Sequence, residues 1–231
     1  MVKRYLLGTL TVVKAVWYGA VGLGLPKRSV HKGVPYFAQW ESRGLVRQIL
    51  DGTVRAEDDP AWKHSGAATR AEYAEWSWNA CGMACLRMVL AHRGQIVPLV
   101  TLCKMAVRYG CYDMPLESSI GLNYAPFVPF VREEFGLMAR AVPVLPPVQI
   151  VYELARGNYV IASVSPAIRD PESVPQAKGG HLVLVVGYDR GTAVFYMHNP
   201  SGGSVESQAY AAVGGKDFAR FYSGRGIVIA G

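Results

Sequence analysis

Apolar residues in the first half of the chain are spaced as they are in buried helices. From Cys81 onward they surround a predicted helix on nearly all sides, which is typical of a helix inside a domain, and Gly94 ends the run. Thr69 followed by Glu72 resembles a capping box and predicts a shorter helix just before it. Further helices are predicted over residues 98–108, 124–135 and 147–156.

The second half of the chain changes to short segments rich in Val, Ile and aromatic residues, which is the composition of β-strands. Such segments cover residues 159–164, 181–188, 193–199 and 227–230. Residues 189–191, Asp-Arg-Gly, are typical of a tight turn, so the two middle segments are predicted to form an antiparallel hairpin. Helices followed by strands predict an α+β fold, with a helical first half packed on an antiparallel sheet.

Residues 5–25 form an apolar segment that Lys14 interrupts. A charge near the middle of the segment disfavours a membrane span, and the short run before it disfavours a secretory signal. The Val, Thr and aromatic residues suit two short strands as well as a helix. We expect residues 1–32 to form a folded N-terminal element in a cytoplasmic protein, with a membrane anchor or a signal as the alternatives. Residues 33–231 are expected to form the main domain.

The net charge of +7 lies entirely in the N-terminal fifth of the chain. Residues 1–50 carry eight basic side chains and one acidic side chain, whereas the charges of residues 51–231 cancel. This pattern predicts either a solvated basic face or a surface that docks an acidic partner, such as a lipid headgroup layer, an acidic carrier domain or an acidic leader peptide. No nucleic-acid-binding motif accompanies the charge, so nucleic acid is not expected as a partner.

The four cysteines do not form a C-x-x-C pair. Their spacing argues against a disulfide framework, and no histidine lies at a zinc-ligand spacing from them, so neither a metal nor another cofactor is expected. Cys81 stands at the predicted N-terminus of a helix, where the helix dipole and free backbone N–H groups stabilise a thiolate. Gly82 after it has no side chain to obstruct an acyl group. The other three cysteines are predicted to lie in the core: Cys85, Cys103 and Cys111.

Thiol catalysis also needs a base, and His181 is the candidate. It follows two glycines and opens a predicted strand, so its ring can project from the sheet into a cleft. Asn199 ends the partner strand, and the predicted hairpin places it beside His181. An amide at that point can bind one ring nitrogen and fix the tautomer, leaving the other nitrogen to face the thiol of Cys81. The three residues are therefore predicted to carry out thiol-dependent acyl transfer.

Four motifs follow one another along the chain: Val34-Pro-Tyr-Phe-Ala-Gln39, Cys81-Gly-Met-Ala-Cys-Leu-Arg-Met-Val-Leu, Gly180-His181-Leu-Val-Leu-Val-Val-Gly-Tyr-Asp189 and Asn199-Pro200. Together they resemble the double-glycine (bacteriocin-processing) peptidase-like branch of the papain-like cysteine peptidase superfamily, over about residues 33–230. The resemblance implies a papain-like fold with Cys81 as nucleophile and His181 as base. It also implies that Asn199 takes the place of the usual Asp and that Gln39 donates to the oxyanion.

The spacing of the first two motifs departs from that family. Gln39 and Cys81 are 42 positions apart, where the family has a short gap. Residues 41–78 are therefore interpreted as an insertion near the mouth of the cleft. Because the separation is so long, Asn79 is an alternative donor to the oxyanion.

Thiol–imidazole chemistry specifies an acyl-enzyme thioester but not the fate of the acyl group. The first hypothesis is a cysteine peptidase that cleaves a peptide, such as a leader segment. The second is an acyltransferase or cyclase that releases an acyl chain from a carrier-protein thioester, which the basic N-terminal fifth and the abundant aromatic residues suit. The third is a non-catalytic binding module, against which the intact Cys, His and Asn argue. Contact of the N-terminal segment with a membrane surface is a further hypothesis.

Overall fold

The computed structural model describes residues 2–21, 24–116, 121–170 and 172–231. The helices in these ranges are α1 (Val2–Val21), α2 (Val46–Leu50), α3 (Arg70–Asn79), α4 (Cys81–His92), α5 (Leu99–Val107), α6 (Tyr124–Phe135), α7 (Pro147–Ala155), α8 (Val205–Gln208) and α9 (Gly215–Phe221). The strands are β1 (Arg28–Val30), β2 (Ala139–Val142), β3 (Tyr159–Val164), β4 (His181–Asp189), β5 (Val194–His198), β6 (Ala211–Gly214) and β7 (Tyr222–Ile229). The helices predicted from the sequence are α3 to α7, and the α+β fold class is confirmed.

The described strands form one antiparallel sheet in the order β2-β7-β3-β4-β5-β6, and β1 also pairs with β4. The predicted hairpin is β4 and β5, in which Leu184 lies opposite His198. On its other side β4 pairs with β3, and Val164 lies opposite His181. The hairpin therefore returns the chain to the start of β4, where His181 stands.

Apolar side chains of β4 are buried on both faces of the sheet. Leu182 and Leu184 belong to the core beneath helices α3 to α6, whereas Val183 and Val185 belong to a second core against α7 and α9. Successive residues of a strand point to opposite faces, so a strand covered on both sides needs an unbroken apolar run. This double packing fixes the end of β4 from which the His181 side chain projects.

The sheet contains more strand than the sequence predicted. β7 starts at Tyr222, well before the predicted start at residue 227, because Gly224 and Gly226 hide its strand character. Its pairing with β3 shifts register between Ala162 and Val164. Strands β1, β2 and β6 were not predicted, since each contains only three or four residues and forms mainly through tertiary pairing.

The N-terminal segment is a helix rather than the pair of short strands that its composition also suited. One face of α1 packs on α7, where the Lys14 ammonium donates to the Val144 carbonyl over 2.9 Å and the rings of Tyr18 and Tyr152 lie 5.0 Å apart. The helix also exposes apolar side chains: Leu10, Val12, Val13, Val16 and Trp17. Of the helices in the described ranges, none has the length and hydropathy that crossing a membrane requires.

The basic residues that follow α1 lie far from His181. Arg28 in β1 is paired with Asp189, the last residue of β4, whereas His181 is the first. The eight residue steps between them span about 27 Å of extended chain. Arg47, a later basic residue of the N-terminal fifth, lies closer to the site, in a cavity that Arg169 also lines. The basic groove formed by Arg28, Val30 and Lys32 has a volume of about 300 Å³ and lies at the opposite end of the strand.

Residues 41–78 pack into the helical layer. The buried Asp59 carboxylate accepts hydrogen bonds from the Ser42 backbone N–H at 3.0 Å and from the Tyr73 hydroxyl. Burial raises the pKa of Asp59, but these hydrogen bonds outweigh it and leave the pKa below its usual range. Glu41 and Arg87 form a nearly buried ion pair at 2.7 Å, which ties the start of the segment to α4. These contacts hold the start of the segment close to the helix that carries Cys81.

Candidate active site

Cys81 is the first residue of α4, as the sequence predicted. Helix α3 ends at Asn79, and Ala80 makes the turn between the two helices. Its N-cap residue, Ala80, makes no side-chain hydrogen bond to α4, so the first backbone N–H groups can bind a charge that develops on the sulfur or on a bound carbonyl. Cys81 is half-buried, whereas the other three cysteines are buried. The predicted distinction between one accessible thiol and three core thiols is confirmed.

Gly82 has a packing role that the sequence did not reveal. A Cβ atom there would lie 2.7 Å from Cδ2 of Leu122 and 2.9 Å from Cδ1 of Leu182. The space that we expected to admit a substrate acyl group is therefore filled by two leucine side chains. A side chain at this position would require the ends of both leucine side chains to move.

Burial dominates the electrostatics of the Cys81 thiol. It raises the thiol pKa, while the backbone N–H groups of Leu182 and Gly82 and the charge of Arg169 lower it. The helix N-terminus was expected to hold the pKa below its ordinary value. Its contribution is present, but burial is larger because β4 covers this end of the helix. The raised pKa favours the protonated thiol at neutral pH.

His181 and Asn199 are joined as the predicted hairpin requires. Nε2 of His181 lies 2.8 Å from Oδ1 of Asn199. The backbone N–H of Ser201 donates to the same oxygen over 3.1 Å, which identifies that atom as the amide oxygen. An amide oxygen only accepts, so Nε2 must carry the proton and Nδ1 must have the free lone pair. Asn199 thereby sets the tautomer in which His181 can take a proton.

The surroundings of His181 favour the neutral imidazole at neutral pH. Burial is the main cause, and the nearby charge of Arg169 adds to it, so that its pKa falls to about 3 although the Asn199 hydrogen bond acts in the opposite direction. A neutral imidazole beside a protonated thiol can act as a general base during attack. In this arrangement the thiolate forms as the substrate reacts.

Gln39 contacts the chain next to Asn199 and the helix that precedes Cys81, despite its distance from both in sequence. Its backbone N–H donates to the Pro200 carbonyl over 2.8 Å, and its side-chain Nε2 donates to the Ser77 carbonyl over 2.9 Å. Gln39 lies just before the segment 41–78 and Ser77 lies near its end, so this second hydrogen bond joins the two ends of the segment. Nε2 has a second hydrogen that this bond does not use, so Gln39 keeps a donor beside Ser77, which lies four residues before Cys81.

Asn79 has a different orientation. Its Nδ2 donates to the Glu75 carbonyl over 3.2 Å, within its own helix. The side chain therefore lies back along α3, which is the direction expected of a residue that bonds to position i−4. Of the two alternative donors, Gln39 is the one that bonds to the residue after Asn199, through its backbone N–H and the Pro200 carbonyl.

A sequence model of the Peptidase_C39-like family matches residues 31–226, which contain Gln39, Cys81, His181 and Asn199. The chain belongs to this family. The resemblance that the four motifs suggested is therefore confirmed, and the enzyme is of the papain-like cysteine peptidase type.

Solved structures include similar folds. A C39-like peptidase from Bacillus anthracis has a TM-score of 0.51 and 14% sequence identity, over 88% of this chain and 98% of that chain. The peptidase domain of Streptococcus ComA, a bi-functional ABC transporter of a quorum-sensing pathway, has a TM-score of 0.47 and 15% identity, over 66% of this chain and 91% of that chain. No curated protein matches the chain.

Ser201 of this C39-like protein contacts the histidine, Arg169 reaches it through Ser201, and the sequence did not reveal either residue. Ser201 Oγ lies 3.0 Å from His181 Nε2, and Nε of Arg169 donates to the same hydroxyl over 2.7 Å. Arg169 ends the 3-10 turn Pro166–Arg169 that follows β3. The only available signal was the position of Ser201 two residues after Asn199, which is typical of an Asx turn. No local pattern indicated Arg169.

We expect the reactivity of Cys81 to depend on Arg169. Iodoacetamide should label Cys81 before the other cysteines, because these are buried and burial raises the pKa of Cys111, for example, to about 12. The labelling rate should rise with pH as the thiolate forms. Arg169→Gln should move that rise to higher pH, because the arginine charge lowers the thiol pKa. Mass mapping of labelled peptides over a pH series measures both effects.

The matched control is Arg132→Gln, which removes an exposed cation on α6 that pairs with Glu133. Its labelling curve should superimpose on that of the unmodified protein. First labelling of Cys103 or Cys111, or an unchanged curve for Arg169→Gln, would contradict the electrostatic account of the thiol.

The site opens into a cavity of about 220 Å³, lined by Cys81, Gly121, Leu122, Asn123, Tyr124, Ser163, Gly180, His181, Leu182 and Arg225. The proposed nucleophile and base thus share one cavity wall. Among the described residues, no group of three or more His, Cys, Asp and Glu side chains is placed to hold a metal ion. The arrangement supplies a thiol, a neutral base and backbone and amide donors, which are the groups that acyl transfer uses.

Proposed function

We propose that this protein is a cysteine peptidase that cleaves a peptide through an acyl-enzyme thioester on Cys81. The observation that carries the proposal is the hydrogen bond from His181 Nε2 to an oxygen of Asn199 that is also bound by the Ser201 N–H. It leaves Nδ1 as the basic nitrogen of a residue that lines the same cavity as the Cys81 thiol. Family membership and fold support the same chemistry.

In the proposed reaction, Sγ of Cys81 attacks the scissile carbonyl carbon while Nδ1 of His181 takes the thiol proton. The carbonyl oxygen gains a negative charge, which the backbone N–H of Cys81 and Nε2 of Gln39 stabilise. The C–N bond then breaks, and the imidazolium returns its proton to the leaving amine. A water molecule, deprotonated by the same nitrogen, hydrolyses the thioester and restores the thiol. Asn199 keeps the imidazole in its tautomer through each proton transfer.

Ser201 and Arg169 position the imidazole of His181, the proposed base. Ser201 accepts from Arg169 and lies within hydrogen-bond distance of His181, so it limits rotation of the ring. Because the positive charge of Arg169 lowers both the thiol and the imidazole pKa, it favours the thiolate and disfavours the imidazolium. This combination suits a base that must release its proton quickly to the leaving amine.

Acyl transfer from a carrier thioester uses the same groups, so the decisive experiment compares substrates. We expect the unmodified protein to hydrolyse members of a mixed-sequence peptide library and to leave long-chain acyl thioesters of a carrier domain or of a small thiol unchanged. Cys81→Ser should lack the peptide cleavage, because a serine hydroxyl is a poor nucleophile beside a base of such low pKa. Turnover of the thioesters alone would favour the acyltransferase or cyclase reading.

The basic groove supports a second contact with a substrate. We propose that an acidic segment of the peptide, such as a leader, binds Arg28 and Lys32, about 27 Å of extended chain from His181. A substrate that reaches both points needs roughly eight extended residues between them. An acidic carrier domain, and contact of the exposed face of α1 with a membrane surface, stay predictions.

The KM of such a substrate should depend on ionic strength only when the peptide is long enough to reach the basic groove. Raising the ionic strength from 0.1 M to 1 M shortens the Debye length from about 10 Å to about 3 Å. We expect this change to raise KM for a long peptide with an acidic distal segment and to leave KM for a short neutral peptide nearly unchanged. Replacing Lys27, Arg28 and Lys32 together by Gln should reproduce the effect at low salt. Steady-state kinetics on the two peptides measure it.

Equal salt sensitivity for the long and the short peptide would contradict docking at this groove. The same holds if the triple variant cleaves both peptides as the unmodified protein does. In either case the basic residues form a solvated face, which is the simpler of the two interpretations that the sequence allowed.

A further inference from the structure

A second group of polar side chains lines the active-site cavity and takes no part in the proposed chemistry. It consists of Tyr124 at the start of α6, Ser163 in β3 and Arg225 in β7. β3 and β7 are neighbours, and their register shifts at Ser163, between the pairs Ala162–Gly226 and Val164–Tyr222. A register shift of this kind re-aims side chains out of the regular alternation of a strand. It places both Ser163 and Arg225 at the cavity.

The three side chains are arranged around the Tyr124 hydroxyl. That hydroxyl lies close enough to the side chains of Ser163 and Arg225 for both to lower its pKa, and within electrostatic reach of Cys81. Burial raises the pKa of Tyr124, so the phenol keeps its proton at neutral pH and can donate. A hydroxyl, a phenol and a guanidinium therefore meet close to the thiol, and all three can donate hydrogen bonds.

Gly179 allows the guanidinium to lie this close to His181. A Cβ atom at Gly179 would be 3.4 Å from Nη2 of Arg225 and 3.5 Å from Oγ of Ser163. Gly179 also has a φ of +97°, which a side chain rarely adopts. The absence of a side chain at Gly179 thus leaves room for Arg225 in the wall of the active-site cavity.

The charge of Arg225 is unbalanced within the described part of the cavity. None of the described lining residues is acidic, and no ion pair among the described residues includes Arg225. The imidazole of His181 is neutral. Arg225 supplies a positive charge, and Arg225, Tyr124 and Ser163 supply hydrogen-bond donors at the open cavity. A carboxylate suits this arrangement, because its two oxygens can accept bonds from a guanidinium in a bidentate manner.

We propose that Arg225, Tyr124 and Ser163 form a subsite for a carboxylate of the substrate, next to the scissile bond. The inference rests on the proposed peptidase function and specifies its substrate class. The carboxylate comes either from an Asp or Glu side chain or from the free C-terminus of a short peptide. If Arg225 only held Tyr124 in place, replacing Arg225 would lower kcat/KM equally for all substrates.

Binding and cleavage of matched peptides test the subsite. The peptides share one cleavable sequence and carry Glu, Gln or Lys at each position within two residues of the scissile bond, each with a free or an amidated C-terminus. We expect one Glu position to raise kcat/KM roughly tenfold over Gln, as a charge-assisted hydrogen bond allows. Arg225→Gln should abolish this preference, and Arg225→Glu should reverse it in favour of Lys. If the terminal carboxylate is the ligand, the free acid is preferred over the amide instead.

Arg132→Gln serves as the control for loss of a positive charge, since Arg132 is exposed on the same helix as Tyr124. It should keep the Glu preference. The same peptides are also titrated calorimetrically against Cys81→Ala, which binds without turnover. If no peptide is cleaved but Glu peptides bind Cys81→Ala more tightly than Gln peptides, the peptidase function fails and the subsite stands. Equal affinity and equal kcat/KM for Glu, Gln and amidated peptides, with equal losses in Arg225→Gln, overturn the subsite.

Discussion

The His181→Ala variant is expected to lose roughly 10² to 10⁴ in kcat on a peptide substrate, the range that a general base contributes. The loss arises because no other described group with a free basic nitrogen lines the cavity beside Cys81. Since His181 is neutral, its removal takes away the proton acceptor without changing the net charge of the site. Steady-state kinetics, with circular dichroism to confirm folding, measure the effect.

Asn199→Ala is the matched comparison and should cost less activity than His181→Ala. Ser201 stays within 3.0 Å of the imidazole and can still hold the ring when the amide is removed. An orienting residue is therefore partly replaceable, whereas the base is not. A larger loss for Asn199→Ala than for His181→Ala would mean that the assigned roles are wrong.

Gln39→Ala is expected to lower kcat by about 100-fold or more, the usual effect of losing one donor to an oxyanion. The KM should change much less, because this donor acts mainly on charge that develops in the transition state. The variant also loses the hydrogen bond to the Ser77 carbonyl, so its thermal unfolding is compared with that of the unmodified protein.

The control for Gln39 is Asn79→Ala, which removes an amide that bonds within its own helix. Its kcat should stay close to that of the unmodified enzyme. If Asn79→Ala lowers kcat by about 100-fold and Gln39→Ala does not, the alignment of the Gln39 motif across residues 41–78 is incorrect.

Parts of the site that depend on local pattern could be predicted from the sequence. The hairpin of β4 and β5 has recognisable strands and a recognisable turn. The contact between His181 and Asn199 could therefore be predicted from the register of the hairpin. The start of α4 at Cys81 followed from apolar periodicity. Each of these inferences needed only neighbouring residues in the chain.

Features that depend on tertiary packing could not be predicted. Arg225 lines the cavity and Arg169 bonds to Ser201 beside His181, from two separate elements, and no spacing connects either of them with Cys81. The thiol pKa was misjudged because the helix N-terminus is a local property, whereas the burial that outweighs it comes from β4. The distance of Arg28 from the cavity depended on β1, a strand too short to be recognised.

The most direct test of the central claim is to identify the residue that carries the acyl group during turnover. An activated peptide ester is mixed with the enzyme, quenched in acid after milliseconds, digested and mapped by mass spectrometry. We predict one acyl group on the peptide that contains Cys81, removed by hydroxylamine as a thioester is and absent from Cys81→Ala. Acylation of another residue, or peptide cleavage by Cys81→Ala, would contradict the assignment of Cys81 as the nucleophile.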